Sequence, residues 1–566
     1  MIKKQLIKKI NTALVNIGIN NCEVNLDHPA NNKFGDYTTN VSLRYAGKLK
    51  KNPLQLAYEI AKKLGHDDLI EKVEVVKPGF INFFLNKEYL INQIQKIVTG
   101  KINYPTYYLG TTKKVMVEFA HPNTHKIFHI GHLRNISTGE SIVRILEATG
   151  NKVIRTNYQG DVGLHIAKCL YKITNHKSQI TNLNTLKEKI EFIGKMYMEG
   201  SQAYETDAKA KEEILEINRQ IYEKDPEIAN LWIETRQWSL DYFNGIYKRV
   251  YTYFDRFYFE SEMAKRGTTI VKELLEKGLL EKSENAIIFN GKKYGLDTRV
   301  FINSLGFPTY EGKELALAEK EFGDFGEIDK CLHVVTPEQK SFFKVTFKVE
   351  ELLDEKKYKN KQYHLVYEWV KLKSGKMASR LGNIIAGEWV LDEVKKKILK
   401  TFKCDQTTAE IIAIAAVKYS FLKNSLNSII AFDFDESISV EGNSAPYLLY
   451  TYVRTQSILK KISFDISMIR NIKQIPNLTV EDDYLLLRMV HQYPEIVYNA
   501  ASNMAPNIIA NYLFNLAQQF NLFYEKCPIL KADENTKNFR LLLTKAVSQV
   551  IKNGLYLLGM KTVEKM

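Results

Sequence analysis

The sequence KKVMVEFAHPNTHKIFHIGHLRN, residues 113–135, decides the fold of this chain. Residues 115–119 form a short apolar run that is interrupted only by Glu118, and this run predicts a buried strand. Apolar residues at helical spacing follow from residue 129 to about residue 150, and a second apolar run begins at Val153. A strand, a loop, a helix and a strand within about 45 residues predict one βαβ unit of a parallel sheet.

The sequence His129-Ile130-Gly131-His132 would lie at the carboxyl end of the first strand, where the helix begins. Doubly wound folds bind phosphate groups at this position, because backbone N–H groups and the helix dipole face the ligand. The imidazoles add N–H donors, and Gly131 would let a ligand approach the backbone closely. The pair suits a polyphosphate or the charge that develops on a phosphorus atom. An isolated HxGH is equally compatible with two ordinary polar residues at a helix start.

A metal site is a second interpretation of this stretch, because four histidines lie close together: His121, His125, His129 and His132. The sequence contains no HExxH pattern and no paired cysteines, and the nearby residues supply no carboxylate to complete a site. We therefore predict no bound metal ion here, and elemental analysis of the purified protein would test this.

Composition and charge describe an ordinary globular chain of two to four domains with a polyanionic partner. The 566 residues carry a net charge of +15, which favours nucleic acid, although surplus lysine can also reflect solubility alone. The five cysteines are scattered, odd in number and without CxxC spacing, which predicts a reducing compartment and no zinc site.

The first residues, MIKKQLIKKINTALVNIG, place Ile2, Leu6, Ile10 and Leu14 at helical spacing. This pattern predicts an amphipathic helix and not a signal peptide, because no unbroken apolar region is present. No run approaches about 18 apolar residues, so we expect no contact with a membrane. We predict a cytoplasmic protein, and we expect it to be a monomer.

The fold class that these patterns predict is multidomain α/β. We expect a small N-terminal α+β module at residues 1–105, a Rossmann-like parallel-sheet catalytic domain at residues 106–400, and an all-helical C-terminal domain at residues 401–566. The catalytic domain would contain a highly charged helical insertion at about residues 175–280. Strand-like pieces at residues 286–290, 298–302 and 331–335 predict that the same sheet resumes after the insertion.

A second candidate site is the sequence GKMASRLGN, residues 375–383. Small residues and glycines around Lys376 and Arg380 would make a mobile cationic loop that can grip phosphate. Alone, such a sequence is typical of a solvated basic turn. It becomes informative together with the two histidines of residues 129–132.

With both sites in hand, the sequence resembles a class I aminoacyl-tRNA synthetase, with HIGH at residues 129–132 and KMASR in place of the KMSKS loop. More narrowly, it is similar to the arginyl-tRNA synthetase family. The matching pieces occur in the family's order along the chain: residues 34–37 and 79–82, 117–123, 157–161, 308–313, 443–447 and 553–559. The resemblance implies that the C-terminal helices bind the anticodon.

The resemblance implies arginine, ATP and tRNA(Arg) as substrates, with Mg²⁺ accompanying ATP. Arginine would first form arginyl-adenylate and then pass to the terminal ribose of the tRNA. No protein nucleophile is needed, so catalysis consists of positioning and charge stabilisation. His129, Gly131 and His132 would contact the ATP phosphates at the helix terminus. Lys376, Met377 and Arg380 would close over them.

One departure from the family pattern concerns the KMSKS loop, whose second lysine is missing because Ala378, Ser379 and Arg380 occupy the last three places. Many arginyl enzymes share this loss and carry a lysine shortly before HIGH. Lys126 fits that description. We therefore predict a catalytic role for Lys126, with a solvated loop lysine as the alternative.

The family resemblance also implies an arginine pocket. A planar guanidinium needs carboxylates that accept two hydrogen bonds and an aromatic wall. Glu118, Glu314 and Tyr310 would supply these, and a lysine substrate would leave buried acceptors unpaired. Asn123 and Gln339 would complete the pocket by holding the amino and carboxylate end of the arginine substrate. The family commonly has aspartate where Glu314 stands, which leaves the pocket geometry open.

Contacts to tRNA are expected at both ends of the chain. Phe34, Tyr37 and Asn82 belong to the module that the family places on the tRNA elbow. In the C-terminal helices, Tyr450 could stack on an unpaired base while Arg454 meets a phosphate. Aromatic core packing with a solvated rim is the alternative for these helices.

Three other functions remain open at this stage. The first is a synthetase for another amino acid, and the second is a catalytically silent RNA-binding protein descended from a synthetase. The third is a metal-binding protein that uses the histidine cluster. ATP–pyrophosphate exchange across the amino acids, with and without tRNA, would separate the first two.

Overall fold

The computed structural model describes residues 2–29, 31–64, 68–100, 112–373, 385–467 and 481–566. These residues belong to two compact units. The first unit combines residues 1–107, 448–499 and 511–554. The second unit combines residues 108–447, 500–510 and 555–566. The N-terminal module therefore shares one unit with most of the C-terminal helices, while the last residues of the chain belong to the second unit.

The N-terminal module has the mixed α+β composition that its sequence predicts. Its elements are α1 (Ile2–Val15), β1 (Tyr37–Thr39), α2 (Val41–Leu49), α3 (Pro53–Leu64), β2 (Ile70–Val76), β3 (Phe80–Leu85) and α4 (Lys87–Val98). The strands form an antiparallel sheet in the order β1-β3-β2. The first helix buries Ile2, Leu6, Ile10 and Leu14, which confirms its predicted amphipathic face.

The predicted βαβ unit is confirmed. It consists of β4 (Lys114–Glu118), α5 (Ile130–Ala148) and β5 (Lys152–Gln159). The two strands are parallel, with Val115 opposite Val153. The helix forms because residue 129 caps it and apolar side chains line its buried face, and it ends two residues before Gly150.

The helical insertion follows the second strand. Its helices are α6 (Leu164–Asn175), α7 (Lys177–Ile180), α8 (Leu186–Thr206), α9 (Ala208–Glu223) and α10 (Pro226–Arg249). Ile166, Leu170, Met196 and Ile214 belong to a buried apolar cluster that these helices share. The insertion therefore has its own core.

The rest of the catalytic unit completes the sheet and covers it. The elements are β6 (Arg256–Phe259), α11 (Glu260–Glu276), β7 (Glu281–Ser283), β8 (Ala286–Phe289), β9 (Arg299–Ile302), α12 (Tyr310–Phe325), β10 (Lys330–Val335), α13 (Lys340–Leu353), α14 (Glu355–Tyr358), β11 (Gln362–Val366), β12 (Val370–Leu372), α15 (Gly387–Thr401), α16 (Gln406–Leu422), β13 (Ile430–Phe432) and α17 (Phe434–Ile438). A parallel five-stranded sheet has the order β11-β10-β4-β5-β6. The strand order reverses between β4 and β10, and ligands bind at such switch points.

The C-terminal segment after residue 444 is helical in its described residues, as predicted. The helices are α18 (Ala445–Lys461), α19 (Glu481–Asn503), α20 (Pro506–Lys526) and α21 (Glu534–Leu557). Within the described ranges, no helix has the length and apolarity that crossing a bilayer requires.

Three features differ from the predicted organisation. Strands β8 and β9 do not continue the parallel sheet, because they pair with β7 in a separate antiparallel sheet. Strand β6 lies inside the range 175–280 that was predicted to be helical, and it forms the edge of the parallel sheet. Strand β13 lies in the range 401–566 that was predicted to be all-helical. Each of these strands has only three or four residues, too few for periodicity to identify its partner.

Candidate active site

The N-terminus of α5 is built by two histidines that bond to the backbone beside them. His129 is the N-cap residue, and its Nδ1 accepts a hydrogen bond from the Gly131 N–H at 3.1 Å. The Nδ1 of His132 accepts from the His129 N–H at 3.1 Å. The two rings stack with their centroids 3.8 Å apart. The pair forms a reciprocal capping box in which imidazoles replace the usual hydroxyl and carboxyl groups.

Both imidazoles are neutral at pH 7. Burial, followed by the nearby charge of Lys126, lowers the pKa of His129 to about 4. Burial also lowers the pKa of His132 well below its usual value. Because each Nδ1 accepts a hydrogen bond, the single ring proton must be on Nε2. The helix terminus therefore carries two Nε2–H donors, while the backbone N–H groups of its first turn are bonded within the protein.

Gly131 is required for a reason that the sequence did not indicate. A Cβ atom at this position would lie 2.9 Å from Cε1 and Nδ1 of His129. The absence of a side chain leaves room for the His129 ring to fold back over the first turn. Glycine here serves the cap, and its role in the approach of a ligand stays a prediction.

A cavity of about 460 Å³ lies beside Lys126, between the helical insertion and the start of α12. Its wall includes His165, Tyr310 and Lys313. The Lys126 ammonium is 5.5 Å from the Tyr197 ring centroid, which is a cation–π distance. Lys313 forms a buried ion pair with Glu260, so its charge is already compensated.

The loop between β4 and α5 has unusual backbone geometry and is held by helix α10. Ala120, His121 and His125 have φ angles of 82°, 49° and 60°, a region that side chains rarely adopt. The His125 N–H donates to Ser239 Oγ at 3.0 Å, and its Nε2 is 2.8 Å from Thr235 Oγ1. Both ring nitrogens of His125 contact threonine hydroxyls, so this histidine is not available as a metal ligand.

The same face of α10 also holds the loop that follows β5. Arg236 Nε donates to Asp161 Oδ2 at 2.7 Å, and Trp232 Nε1 donates to the Asp161 carbonyl at 2.8 Å. The two loops bond to each other where the Thr124 N–H donates to the Gly160 carbonyl at 2.8 Å. Trp232, Thr235, Arg236 and Ser239 were not among the predicted site residues. Only their polar spacing of three and four residues on one helix face could have indicated a shared contact.

Asn135 is a further residue that sequence reasoning passed over. Its Oδ1 accepts from the Ala120 N–H at 2.6 Å, and its Nδ2 donates to the Val334 carbonyl at 2.7 Å. This amide therefore connects the carboxyl ends of β4 and β10 at the switch point of the sheet.

The predicted carboxylates, Glu118 of β4 and Glu314 of α12, interact in the protein interior. Glu118 and Glu314 are 2% and 5% exposed, and the charge of Glu118 affects the ionisation of Glu314. Glu118 Oε1 accepts from His333 Nδ1 at 3.0 Å. Burial, followed by the charge of Glu118, raises the pKa of Glu314 well above its usual value. His333 was not predicted, because it comes from β10, far away in sequence.

The other predicted arginine contacts surround this region at different depths. Tyr310 begins α12, is 57% exposed and lines the cavity beside Lys126. Asn123 forms an isolated parallel bridge with Gly160. Gln339 is exposed in the turn between β10 and α13. Among the described residues, Glu118 and Glu314 do not belong to the cavity wall.

The predicted phosphate loop, with Lys376, Met377 and Arg380, lies outside the described residues. Both neighbouring segments are bonded to α5. Arg134 Nη1 donates to the Trp369 carbonyl at 2.8 Å before the loop, and the Ile130 N–H donates to the Ile385 carbonyl at 2.9 Å after it.

The predicted tRNA contacts in the N-terminal module need correction. Phe34 is 46% exposed, but Tyr37 and Asn82 are only 1% and 3% exposed. The Tyr37 hydroxyl donates to Glu495 on α19, and Asn82 lies in the central strand of its sheet. Tyr37 and Asn82 are therefore structural residues of their unit. They were predicted to contact tRNA because family position alone does not reveal burial.

The predicted contacts in the C-terminal helices form a small exposed cluster. Tyr450 is 42% exposed, and Arg454 Nη2 donates to its hydroxyl at 3.0 Å. The Arg454 guanidinium also lies 5.2 Å from the Tyr524 ring centroid. An aromatic and a cationic group are thus presented together at the surface.

Three sequence profiles match consecutive parts of this chain. They describe an arginyl tRNA synthetase N terminal domain at residues 2–85, a class I (R) tRNA synthetase catalytic domain at residues 93–434, and a DALR anticodon binding domain at residues 448–566. The order of the three agrees with the order of the elements described above.

Relatives match nearly the whole chain. The arginine–tRNA ligase of Fusobacterium nucleatum is 32% identical over 547 residues, which covers 95% of this chain and 94% of the relative. That of Borreliella afzelii is 31% identical, with 100% and 99% covered. The arginyl-tRNA synthetase structure from Thermus thermophilus has a TM-score of 0.82 at 23% identity and covers 100% of both chains. This structural likeness shows the fold alone, whereas the profiles and relatives establish kinship: the chain belongs to the arginyl-tRNA synthetase family.

Proposed function

We propose that this protein joins arginine to tRNA(Arg) at the expense of ATP. In the first step an arginine carboxylate oxygen bonds to the α-phosphorus, the bond to the bridging oxygen breaks, and pyrophosphate leaves. In the second step the terminal ribose hydroxyl of the tRNA takes the arginyl group, and AMP leaves. The observation that carries the proposal is the pair of Nε2–H donors at the α5 terminus beside Lys126.

His129 and His132 are the proposed phosphate ligands. Their donors are neutral, preorganised by backbone hydrogen bonds and located where the helix dipole favours negative charge. Lys126 adds the full positive charge that this terminus otherwise lacks. Its influence on the pKa of His129 supports a position close to the same phosphate oxygens.

Lys376, Met377 and Arg380 are the proposed second set of ATP contacts. Their loop begins and ends at segments that α5 holds, which supports closure over the same phosphates. Mg²⁺ is proposed to enter with ATP, since it is usually bound through substrate phosphates and few protein groups.

Arginine recognition is assigned to the region between β4 and α12. Glu118 and Glu314 would accept from the guanidinium, with Tyr310 as the aromatic wall. Asn123 and Gln339 would contact the amino and carboxylate end. The support is their arrangement around the switch point of the sheet, where doubly wound folds bind ligands.

Binding of tRNA is assigned to exposed groups at both ends of the chain. Phe34, Tyr450 and Arg454 remain proposed contacts, whereas Tyr37 and Asn82 do not. A net charge of +15 should make this binding weaken steeply with salt. A cytoplasmic location is part of the proposal, because translation takes place in the cytoplasm. A monomeric state is proposed as well.

The test is ATP–pyrophosphate exchange with each amino acid, in the presence and absence of tRNA(Arg), followed by aminoacylation. Arginine should support exchange and lysine should not, and family resemblance predicts that exchange requires tRNA. Exchange with another amino acid would identify a different synthetase. No exchange with any of them, together with tight tRNA binding, would identify a silent RNA-binding relative.

A further inference from the structure

A cluster of buried carboxyl groups surrounds His333 at the switch point of the sheet. His333 lies opposite Glu118 in the register of β10 and β4. Helix α12 contributes Glu314 and Glu321, and α13 contributes Glu350. All four carboxyl groups and the imidazole are at most 5% exposed. Four buried acids around one ring raise the question of which groups are charged.

Hydrogen bonds show that His333 carries two ring protons. Its Nδ1 is 3.0 Å from Glu118 Oε1, and its Nε2 is 3.0 Å from Gln362 Oε1. The Gln362 amide is oriented by its Nε2, which donates to Glu350 Oε2 at 2.8 Å. With the amide in this orientation, both partners of the imidazole are acceptors and both ring nitrogens donate, in agreement with the raised pKa of His333. His333 is an imidazolium and Glu118 is its carboxylate partner.

The other carboxyl groups are protonated. Glu321 is fully buried, and its Oε2 contacts the Cys331 thiol; burial, followed by the charge of Glu118, raises the pKa of Glu321 well above its usual value. Burial raises the pKa of Glu350 to about 8, and burial followed by the charge of Glu118 raises that of Glu314 well above its usual value. The titratable groups that face the imidazole are the following: Glu118 and His121 from the β4 end, Cys331 on the same strand as His333, Glu314 and Glu321 from α12, Glu350 from α13 and His364 from β11. None of these is a lysine or an arginine.

We propose that His333 is the positioning residue of the arginine pocket: it keeps Glu118 ionised before arginine binds, and entry of the guanidinium releases one proton from the remaining carboxyl groups to solvent. The inference rests on the proposed function and adds a charge balance to it. The empty pocket is neutral, because one imidazolium faces one carboxylate. A guanidinium alone would leave a net positive charge in a buried site, which is costly. Ionisation of a second carboxyl group restores neutrality and provides a second acceptor for the planar fork.

Calorimetry of the unaltered full-length protein tests the proton release. Arginine is titrated at pH 7 in buffers of different ionisation enthalpy, and the dependence of the heat on buffer gives the number of protons exchanged. About one proton should be released for each arginine bound. Binding without release, or with uptake, would overturn the inference. An absence of arginine binding, with tRNA present, would instead overturn the proposed function.

The variant His333→Gln tests the role of the imidazolium, because glutamine can donate a hydrogen bond but carries no charge. At pH 7 the KM of this variant for arginine should be about tenfold higher than that of the unaltered protein. As the pH is raised, the KM of the variant should fall by up to about tenfold per pH unit, because Glu118 must lose a proton itself before arginine binds. The kcat and the KM for ATP should change little. An arginine KM with the same pH profile as the unaltered protein would contradict the proposal.

His364→Gln is the matched control. This imidazole lies opposite His333 in the register of β11 and β10, but its Nε2 bonds to the Val335 carbonyl. The control should retain the original pH dependence of the arginine KM. If His333→Gln does not fold, as judged by its thermal transition, the calorimetric measurement on the unaltered protein decides the question alone.

Discussion

The phosphate-facing terminus of α5 and the carboxyl cluster behind β4 are neighbouring regions that are held together by different contacts. His129 and His132 bond to backbone atoms two and three residues away. Glu118 bonds to His333, which is 215 residues away. The first region is a local structure that a short sequence can specify. The second exists only after four distant elements have packed. If the proposed roles are right, substrate selectivity depends on the whole fold more than phosphate binding does.

The largest expected effect comes from Lys126→Ala, which tests the local region. Negative charge grows on the phosphates as pyrophosphate leaves, and this lysine would supply the compensating charge. The kcat of arginine activation should fall by about 10²–10³, the scale for losing one preorganised donor. The KM for arginine should hardly change, because ground-state binding is unaltered.

A lysine introduced by Ser379→Lys should recover part of that loss, since it rebuilds the usual second lysine of the loop. Lys195→Ala, an exposed lysine of α8 paired with Glu199, serves as the comparison for a general loss of charge. A near-normal kcat for Lys126→Ala would show that Lys126 is a solvated loop residue.

The second effect, Glu118→Gln, tests the non-local region. Loss of a charged acceptor should raise the KM for arginine roughly 10- to 100-fold, because a hydrogen bond to a charged group contributes about 1.5–3 kcal/mol. The KM for ATP should remain near normal, because the helix terminus is built separately. Equal increases in both KM values would contradict the separation of the two regions.

The third effect concerns the contact of His125 with α10, and it is a loss of stability in acid. Burial lowers the pKa of His125 from 6.5 to about 3. Between these values the unfolded chain binds the proton and the folded chain does not, so stability falls as the pH falls. Urea unfolding at pH 7 and pH 5 should show that His125→Gln reduces this pH-dependent loss by about 2 kcal/mol. An unchanged difference between the two pH values would mean that His125 titrates normally.

The smallest effect is expected for Glu314→Asp, which introduces the residue that the family commonly has. One methylene group separates the two side chains, and its burial corresponds to about 0.8 kcal/mol. The KM for arginine should therefore change by no more than about fourfold. Glu314→Leu, which removes the acceptor, should have a clearly larger effect. Equal effects of the two variants would exclude Glu314 from the pocket.

The sequence predicted the elements whose information is local. The βαβ unit followed from apolar spacing, and the donors at its helix terminus followed from the pattern of residues 129–132. The contacts of His125 with Thr235 and of Glu118 with His333 could not be predicted, because neither partner carries a sequence pattern that identifies it. The buried position of Tyr37 was missed for the same reason.

The N-terminal module shares one unit with helices near the other end of the chain, and this has a consequence for synthesis. Asp36 and Arg488 are joined at 2.5 Å and are both 6% exposed, although 452 residues separate them. At the usual rate of translation, about 5–20 residues per second, the aspartate waits roughly 20–90 s for its partner to leave the ribosome. During this time the N-terminal module exposes the surface that α19 later covers. On the ribosome this surface is therefore open to contacts with other chains until α19 has been made.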